Sequence, residues 1–177
     1  LFLVVSYSSC MHSEEDKVDV LIIGGGASGV TSGIQSARMG ANTLILEEST
    51  WLGGMLTSAG VSAVDGNYRL PAGLWGEFKK RLSDYYGGLD SLKTGWVSNV
   101  LFEPSVGNKI LHEMVAAENN LKVWKQACLE EVKRTGDEWV AKVKVEGQGV
   151  KTVRAKVMID ATELGDVAKI CGVKYDI

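Results

Sequence analysis

The chain has little proline, little cysteine and no excess of positive charge. Only 2 of its 177 residues are Pro, and its 21 Gly follow no Gly-X-Y period, so a collagen-like fibre is excluded. The three cysteines, Cys10, Cys128 and Cys171, are odd in number and far apart. They give neither a disulfide framework nor a zinc-ligand spacing. Basic residues number 19 against 22 acidic ones, for a net charge of −3, and no basic stripe is visible. That balance argues against a nucleic-acid partner. The apolar run Leu1–Val5 is too short to span a bilayer. No internal repeat, low-complexity segment, Ser-His-Asp set or metal-ligand cluster is present.

What remains is the balance of an ordinary soluble globular chain, 45% hydrophobic and 23% charged. The length suits one domain with a substantial core. Val18–Ile23 is a near-continuous apolar run, as expected of a strand buried on both faces. Gly24-Gly25-Gly26 breaks it. Val30, Ile34 and Ala37 then recur at helical spacing, with Gly40 as a helix stop. Thr43–Leu46 reads as a second buried strand, ending at Glu47. Together these make a strand–helix–strand unit of the size of a right-handed parallel crossover.

Residues 48–72 read as irregular and Gly-rich, and a long irregular stretch in a compact domain is usually functional or disordered. Leu74, Phe78, Leu82 and Tyr85 mark an amphipathic helix ended by Gly87-Gly88. Val106, Ile110, Leu111, Met114 and Val115 mark another, with Pro104 near its start. Beyond Asn120 the period changes to two. A short strand at Leu121–Trp124 is followed by alternating runs at 139–146 and 153–159, which read as an antiparallel meander. The last run becomes fully apolar at Val157–Ile159, as if re-entering a buried sheet, and 163–171 reads as helical.

Gly24, Gly26 and Gly29 form a G-x-G-x-x-G that follows a buried strand, opens a helix and precedes an acid at the end of the next strand. Such glycines permit a tight turn, close approach of a pyrophosphate to the backbone, and close helix–strand packing. The first-turn amides and the positive helix end then hold the diphosphate. Ser28 adds a hydroxyl donor. Glu47 is placed to accept ribose hydroxyls, and its charge disfavours a 2′-phosphate. The glycine pattern alone leaves NAD and FAD open. The doublet Gly53-Gly54 in Trp51-Leu52-Gly53-Gly54-Met55-Leu56-Thr57-Ser58 suits a second backbone approach to the same dinucleotide and favours FAD.

The order strand, G-x-G-x-x-G, Glu47, Leu-Gly-Gly-Met, helices, meander, then Ile159-Asp160-Ala161-Thr162 with Gly165-Asp166 resembles the bacterial FAD-dependent oxidoreductases of the glutathione-reductase-type fold. The resemblance covers about Val18 to Asp176. It implies an α/β, Rossmann-like FAD-binding domain over 18–177, with a parallel sheet plus an antiparallel meander. It also implies FAD as cofactor, bound by Gly24, Gly26, Ala27, Ser28, Gly29 and Glu47 at the adenosine and pyrophosphate. Gly53, Gly54, Met55 and Thr57 would lie nearer the ribityl chain and ring, Ala127 near the adenine, and Ala161, Gly165 and Asp166 at the closing strand end. The family usually carries Thr-Gly-Asp-Gly-Asp where this chain has Thr162-Glu163-Leu164-Gly165-Asp166. The expected activity is transfer of a hydride or electrons from a small-molecule substrate to flavin. An NAD-binding dehydrogenase domain and a non-catalytic fragment are the alternatives.

At the N-terminus, an apolar run, small polar residues, Cys10 and an acidic stretch resemble the back half of a secretory signal and a bacterial lipid-attachment site. Tyr7 stands where such signals usually carry Leu. This implies a signal- or lipoprotein-like tail over 1–17, a lipid anchor at Cys10, and export to the periplasm or outer membrane. A tail with an incidental Cys on a cytoplasmic protein is the alternative. At the C-terminus the chain is expected to continue past Ile177, with the missing region completing the flavin pocket, so that residues 1–177 alone bind FAD weakly. His12, His112, Tyr85, Tyr86 and Trp96 read as tail, helix surface or packing residues. Cys128 and Cys171 read as small core residues.

Overall fold

The computed structural model describes residues 15–66 and 68–174. Cys10, His12 and the tail up to residue 14 lie outside the described residues. The first crossover is strand β1 (Glu15–Ile23), helix α1 (Ala27–Arg38) and strand β2 (Thr43–Glu47). β1 begins at Glu15 rather than Val18. Its charged start is recruited into the sheet because Glu15, Asp16 and Lys17 pair with Thr152, Val153 and Arg154 of a later strand. A Glu15–Arg154 ion pair at 2.6 Å adds to that pairing.

Helix α2 (Gly73–Tyr86) and helix α3 (Pro104–Ala116) precede strand β3 (Leu121–Lys125). Strands β4 (Ala127–Thr135), β5 (Glu138–Val145) and β6 (Gly149–Asp160) and the short helix α4 (Asp166–Ile170) complete the chain. Residues 163–165, expected to be helical, form the turn that leads into α4. Gly165 supplies its left-handed N-cap at φ 71°.

The six strands lie in the order β3-β2-β1-β6-β5-β4. β3, β2, β1 and β6 run parallel, and β6, β5 and β4 form the antiparallel meander. Alternation along the strands separates two cores. Ile22 and Ile45 face the helices, where they meet Val30 and Ile34 of α1, Phe78 and Leu82 of α2, and Ile110 and Met114 of α3. Leu21, Ile23, Leu44 and Leu46 point the other way and pack with Ala127, Val143 and Val145. Those meander residues do not belong to strands that neighbour β2 in the sheet. The sheet therefore curls back, and the meander covers the face that the helices leave open.

The helix layer sits close to the sheet because Gly33 has no side chain: a Cβ there would fall 2.6 Å from Ile45 Cδ1. Arg38, at the end of α1, ties the three long helices together through Glu77 of α2 at 2.9 Å and Glu118 beyond α3 at 2.7 Å. α2 stops at Gly87, φ 79°. Tyr86, not Tyr85, joins the core on this helix, since its hydroxyl accepts the Glu103 N–H at 2.9 Å while Tyr85 is exposed.

Three other expectations are corrected. Val157 is exposed, because the helix-side core that reaches Ile159 on the same face does not extend to it. Cys128 and Cys171 are exposed; Ala127 points inward, so the period of two turns Cys128 out. Trp96, expected to pack, is 95% exposed.

Candidate dinucleotide cleft

The strand ends and the start of α1 are laced together by backbone bonds. Gly24 N–H donates to Leu46 O at 2.9 Å and Ala161 N–H to Ile23 O at 2.8 Å, so β2, β1 and β6 end side by side. Space for this exists only because two residues lack side chains. A Cβ on Gly24 (φ +102°) would lie 2.5 Å from Ala161 O, and one on Gly29 would lie 1.9 Å from Gly24 O. The crevice beyond the carboxyl ends of these strands is where α/β sheets bind ligands. Here it holds a cleft of about 700 Å³, the size of a small-molecule site.

Gly26, at φ −63°, caps α1 with no side-chain hydrogen bond, and the first turn of α1 contains no acid. The helix start therefore has no capping side chain and no acid in its first turn, although the charged residues that line the cleft are all acids, Glu47, Glu48, Glu163 and Asp166. Gly26, Ala27 and Ser28 all line the cleft. Across from them, the Gly53-Gly54 doublet forms a second backbone wall. Gly53 N–H donates to Gly25 O at 2.8 Å, and a Cβ on Gly54 would sit 3.1 Å from Gly26 Cα.

That second wall is pinned to α3 and to itself. Asn108 Oδ1 accepts Leu52 N–H at 2.9 Å. The Thr57 hydroxyl donates to Leu52 O at 2.5 Å. A Cβ on Gly53 would strike Leu111 Cδ1 at 2.6 Å.

Glu47 lines the cleft and also braces it. Its Oε2 accepts Gly25 N–H at 2.7 Å, and its Oε1 accepts Ser49 N–H at 2.7 Å. A carboxylate offers about four acceptor sites, so lone pairs remain for ribose hydroxyls. At the far side, Asp160 organises the turn after β6. Its Oδ1 accepts the Thr162 N–H at 3.0 Å and hydroxyl at 2.6 Å, and its Oδ2 accepts Ala168 N–H at 2.7 Å. Burial works to raise this carboxyl's pKa. The hydrogen bonds from Thr162 and from the amides of Ala168 and Val167 outweigh it and hold the group below the ordinary value.

Of the sequence-derived positions, Gly24, Gly26, Ala27, Ser28, Glu47, Gly53, Gly54, Met55, Ala127, Ala161 and Asp166 line this one cleft. Three do not. Gly29 is used in helix–strand packing, Gly165 in the helix cap, and Thr57 is buried at 1% exposure with its hydroxyl turned into the loop. Sequence reasoning missed Gly25, where a Cβ would lie 2.8 Å from Glu47 Oε2. The middle glycine of the triplet was the available signal. Ser49, Ser58 and Leu129 also line the cleft, and nothing in their local pattern marks them.

A sequence profile described as FAD dependent oxidoreductase matches residues 19–177. The chain belongs to the FAD-dependent oxidoreductase family. FAD is thus the cofactor of this fold, and the residues present fit it. The cleft offers a helix start with no acid in its first turn, bare backbone at Gly26, Gly53 and Gly54, and a Glu47 carboxylate with acceptor capacity to spare.

No curated protein matches the sequence. Solved structures similar to it include p-nitrophenol 4-monooxygenase from Pseudomonas putida, with 15% identity and a TM-score of 0.59 over 91% of this chain and 45% of that one. Another is the OxyS anhydrotetracycline hydroxylase from Streptomyces rimosus, with 16% identity and a TM-score of 0.64 over 90% and 34%. A third is a flavoprotein/dehydrogenase from Cytophaga hutchinsonii, with 19% identity and a TM-score of 0.56 over 89% and 42%. At these identities the likeness establishes the shared fold. The chain spans less than half the length of each.

Proposed function

We propose that the cleft grips the ADP half of FAD in an oxidoreductase, with this chain as its nucleotide-binding portion. Bound flavin would supply the redox chemistry by accepting a hydride or electrons from a substrate. The chain's own residues bind and orient. The first-turn amides of α1 meet the diphosphate, assisted by the helix dipole. Glu47 accepts ribose hydroxyls with the lone pairs that Gly25 and Ser49 leave free. Gly53 and Gly54 present bare backbone from the opposite wall, with Met55 and Ser58 further along it.

One observation carries this reading. Gly24 and Gly29 are explained by what a Cβ would strike, but Gly26 is not. Its φ of −63° suits any residue, and a Cβ there would meet no protein atom within 4 Å. The fold does not need glycine at Gly26; a ligand lying against the backbone does. The Gly26→Ala chain should therefore keep its stability to within about 1 kcal/mol, yet bind FAD at least about tenfold more weakly. Urea unfolding and quenching of flavin fluorescence measure the two effects. Equal FAD affinity in the two proteins would refute the proposal.

A further inference from the structure

We propose that the molecule carries a second ligand site, for an amphipathic carboxylate, in a cavity of about 450 Å³ against α2. The cavity shares no lining residue with the dinucleotide cleft. It is bounded by segment 68–71, by one face of α2 and by segment 89–100. Its wall is built rather than incidental. Pro71 lies directly on the helix, since a Cβ on Gly76 would fall 2.2 Å from Pro71 O. Lys79 Nζ donates to Tyr68 O at 2.5 Å and to Leu70 O at 2.8 Å, fastening that segment to α2.

The lining has two characters. Pro71, Leu89 and Val100 supply apolar surface, extended by the methylene stems of the lysines. Every charged residue in the lining is a cation: Arg69, Lys79, Lys80 and Lys93. Two of these carry acids of their own at the surface, Lys80 with Asp84 and Lys93 with Asp90. Lys79 is held by those two carbonyls and lies 5.6 Å from the centre of the Trp75 ring, and Arg69 donates to the Tyr68 hydroxyl at 3.1 Å and lies over the Tyr68 ring. Neither makes an ion pair with a carboxylate among the described residues. An apolar pocket with uncompensated cations at its edge fits a ligand with a hydrocarbon or aromatic body and one anionic head. A guanidinium also accepts a carboxylate with two parallel hydrogen bonds.

Octanoate, octanol and inorganic phosphate, titrated separately into the 15N-labelled chain, test this. Octanoate should move the amides of Ser83, Leu89 and Val100 saturably and leave those of Gly26 and Gly54 in place. Octanol should bind at least about tenfold more weakly, and Arg69→Gln should weaken octanoate about fivefold with the remaining spectrum superimposable, whereas Lys93→Gln, whose cation is paired with Asp90, should change it less than about twofold. The proposal fails if octanol or phosphate binds here as tightly as octanoate. It fails equally if octanoate moves no amide of this cavity, or if Arg69→Gln leaves its affinity unchanged. Because FAD is absent from every arm, the result stands apart from the fate of the flavin reading.

Discussion

Along Gly24–Gly29 the cleft wall is backbone packed on backbone; along Thr162–Asp166 it is a turn suspended from one carboxylate. On the first wall a single methyl group would overlap a carbonyl oxygen at 1.9 Å. On the second, a Cβ on Gly165 would meet nothing within 4 Å, and Glu163 and Leu164 are exposed. The first wall is fixed at Gly24 and Gly29 as soon as β1, α1 and β6 assemble, and only Gly26, whose added Cβ would meet nothing within 4 Å, leaves room for change. The second keeps its shape through Asp160 and is open to change by substitution or by pH.

The largest difference should appear on replacing Gly29 with Val. The added Cβ would overlap the Gly24 carbonyl, a backbone group fixed by the strand end, so the loss should be about 4 kcal/mol or more. Urea unfolding followed by circular dichroism should show a chain at or near its unfolding midpoint without denaturant. An ordinary midpoint would mean that α1 can lift off the sheet.

Asp160→Ala should cost less, about 2 kcal/mol, through the stranded Thr162 and Ala168 donors. Because the Asp160 carboxyl titrates below its ordinary value of 3.8 in the folded chain, its contribution is present above that value. It is lost as pH falls through the lower folded value. Stability of Asp160→Asn, measured by urea midpoints at a series of pH values, should therefore fall less steeply below about pH 4 than that of the unchanged chain. Parallel curves would remove Asp160 from the account of the second wall.

The smallest effect is expected at Glu163. Restoring glycine there removes an exposed anion beside the place proposed for a diphosphate. FAD affinity should rise about threefold, with stability altered by less than about 1 kcal/mol. Isothermal titration of both proteins with FAD decides it; unchanged affinity would mean that the Glu163 side chain stays clear of the cofactor.

The legibility of the sequence follows the same division. The placement of Gly24, Gly26, Gly29 and Glu47 is legible because it rests on local geometry: a strand end, a tight turn, a helix start and the next strand end. The Gly53-Gly54 doublet was legible for the same reason. Thr57 reads as a cleft residue, but its hydroxyl is turned into its own loop by the Leu52 carbonyl, a folding of the loop that residue type does not encode. Ser58 and Leu129 reach the cleft only because the sheet curls and the loop folds back. Cys128 and Tyr85 were misread for one shared reason. Each is apolar and adjacent to the residue that actually faces inward, Ala127 or Tyr86, and residue type alone does not choose between neighbours. A bond from a distant segment, Glu103 N–H to the Tyr86 hydroxyl, makes that choice on α2.

The pairing of β1 with β6 has a consequence for how the protein is made. β1 leaves the ribosome well before its partner, and one of its two edges is satisfied only when residues 152–160 have been synthesised. At usual translation speeds that edge waits for roughly ten seconds or more. Throughout that interval the nascent chain exposes an apolar strand able to pair with its copies on neighbouring ribosomes. Its yield in the cell should accordingly depend on chaperones that shield β1 until β6 has been made.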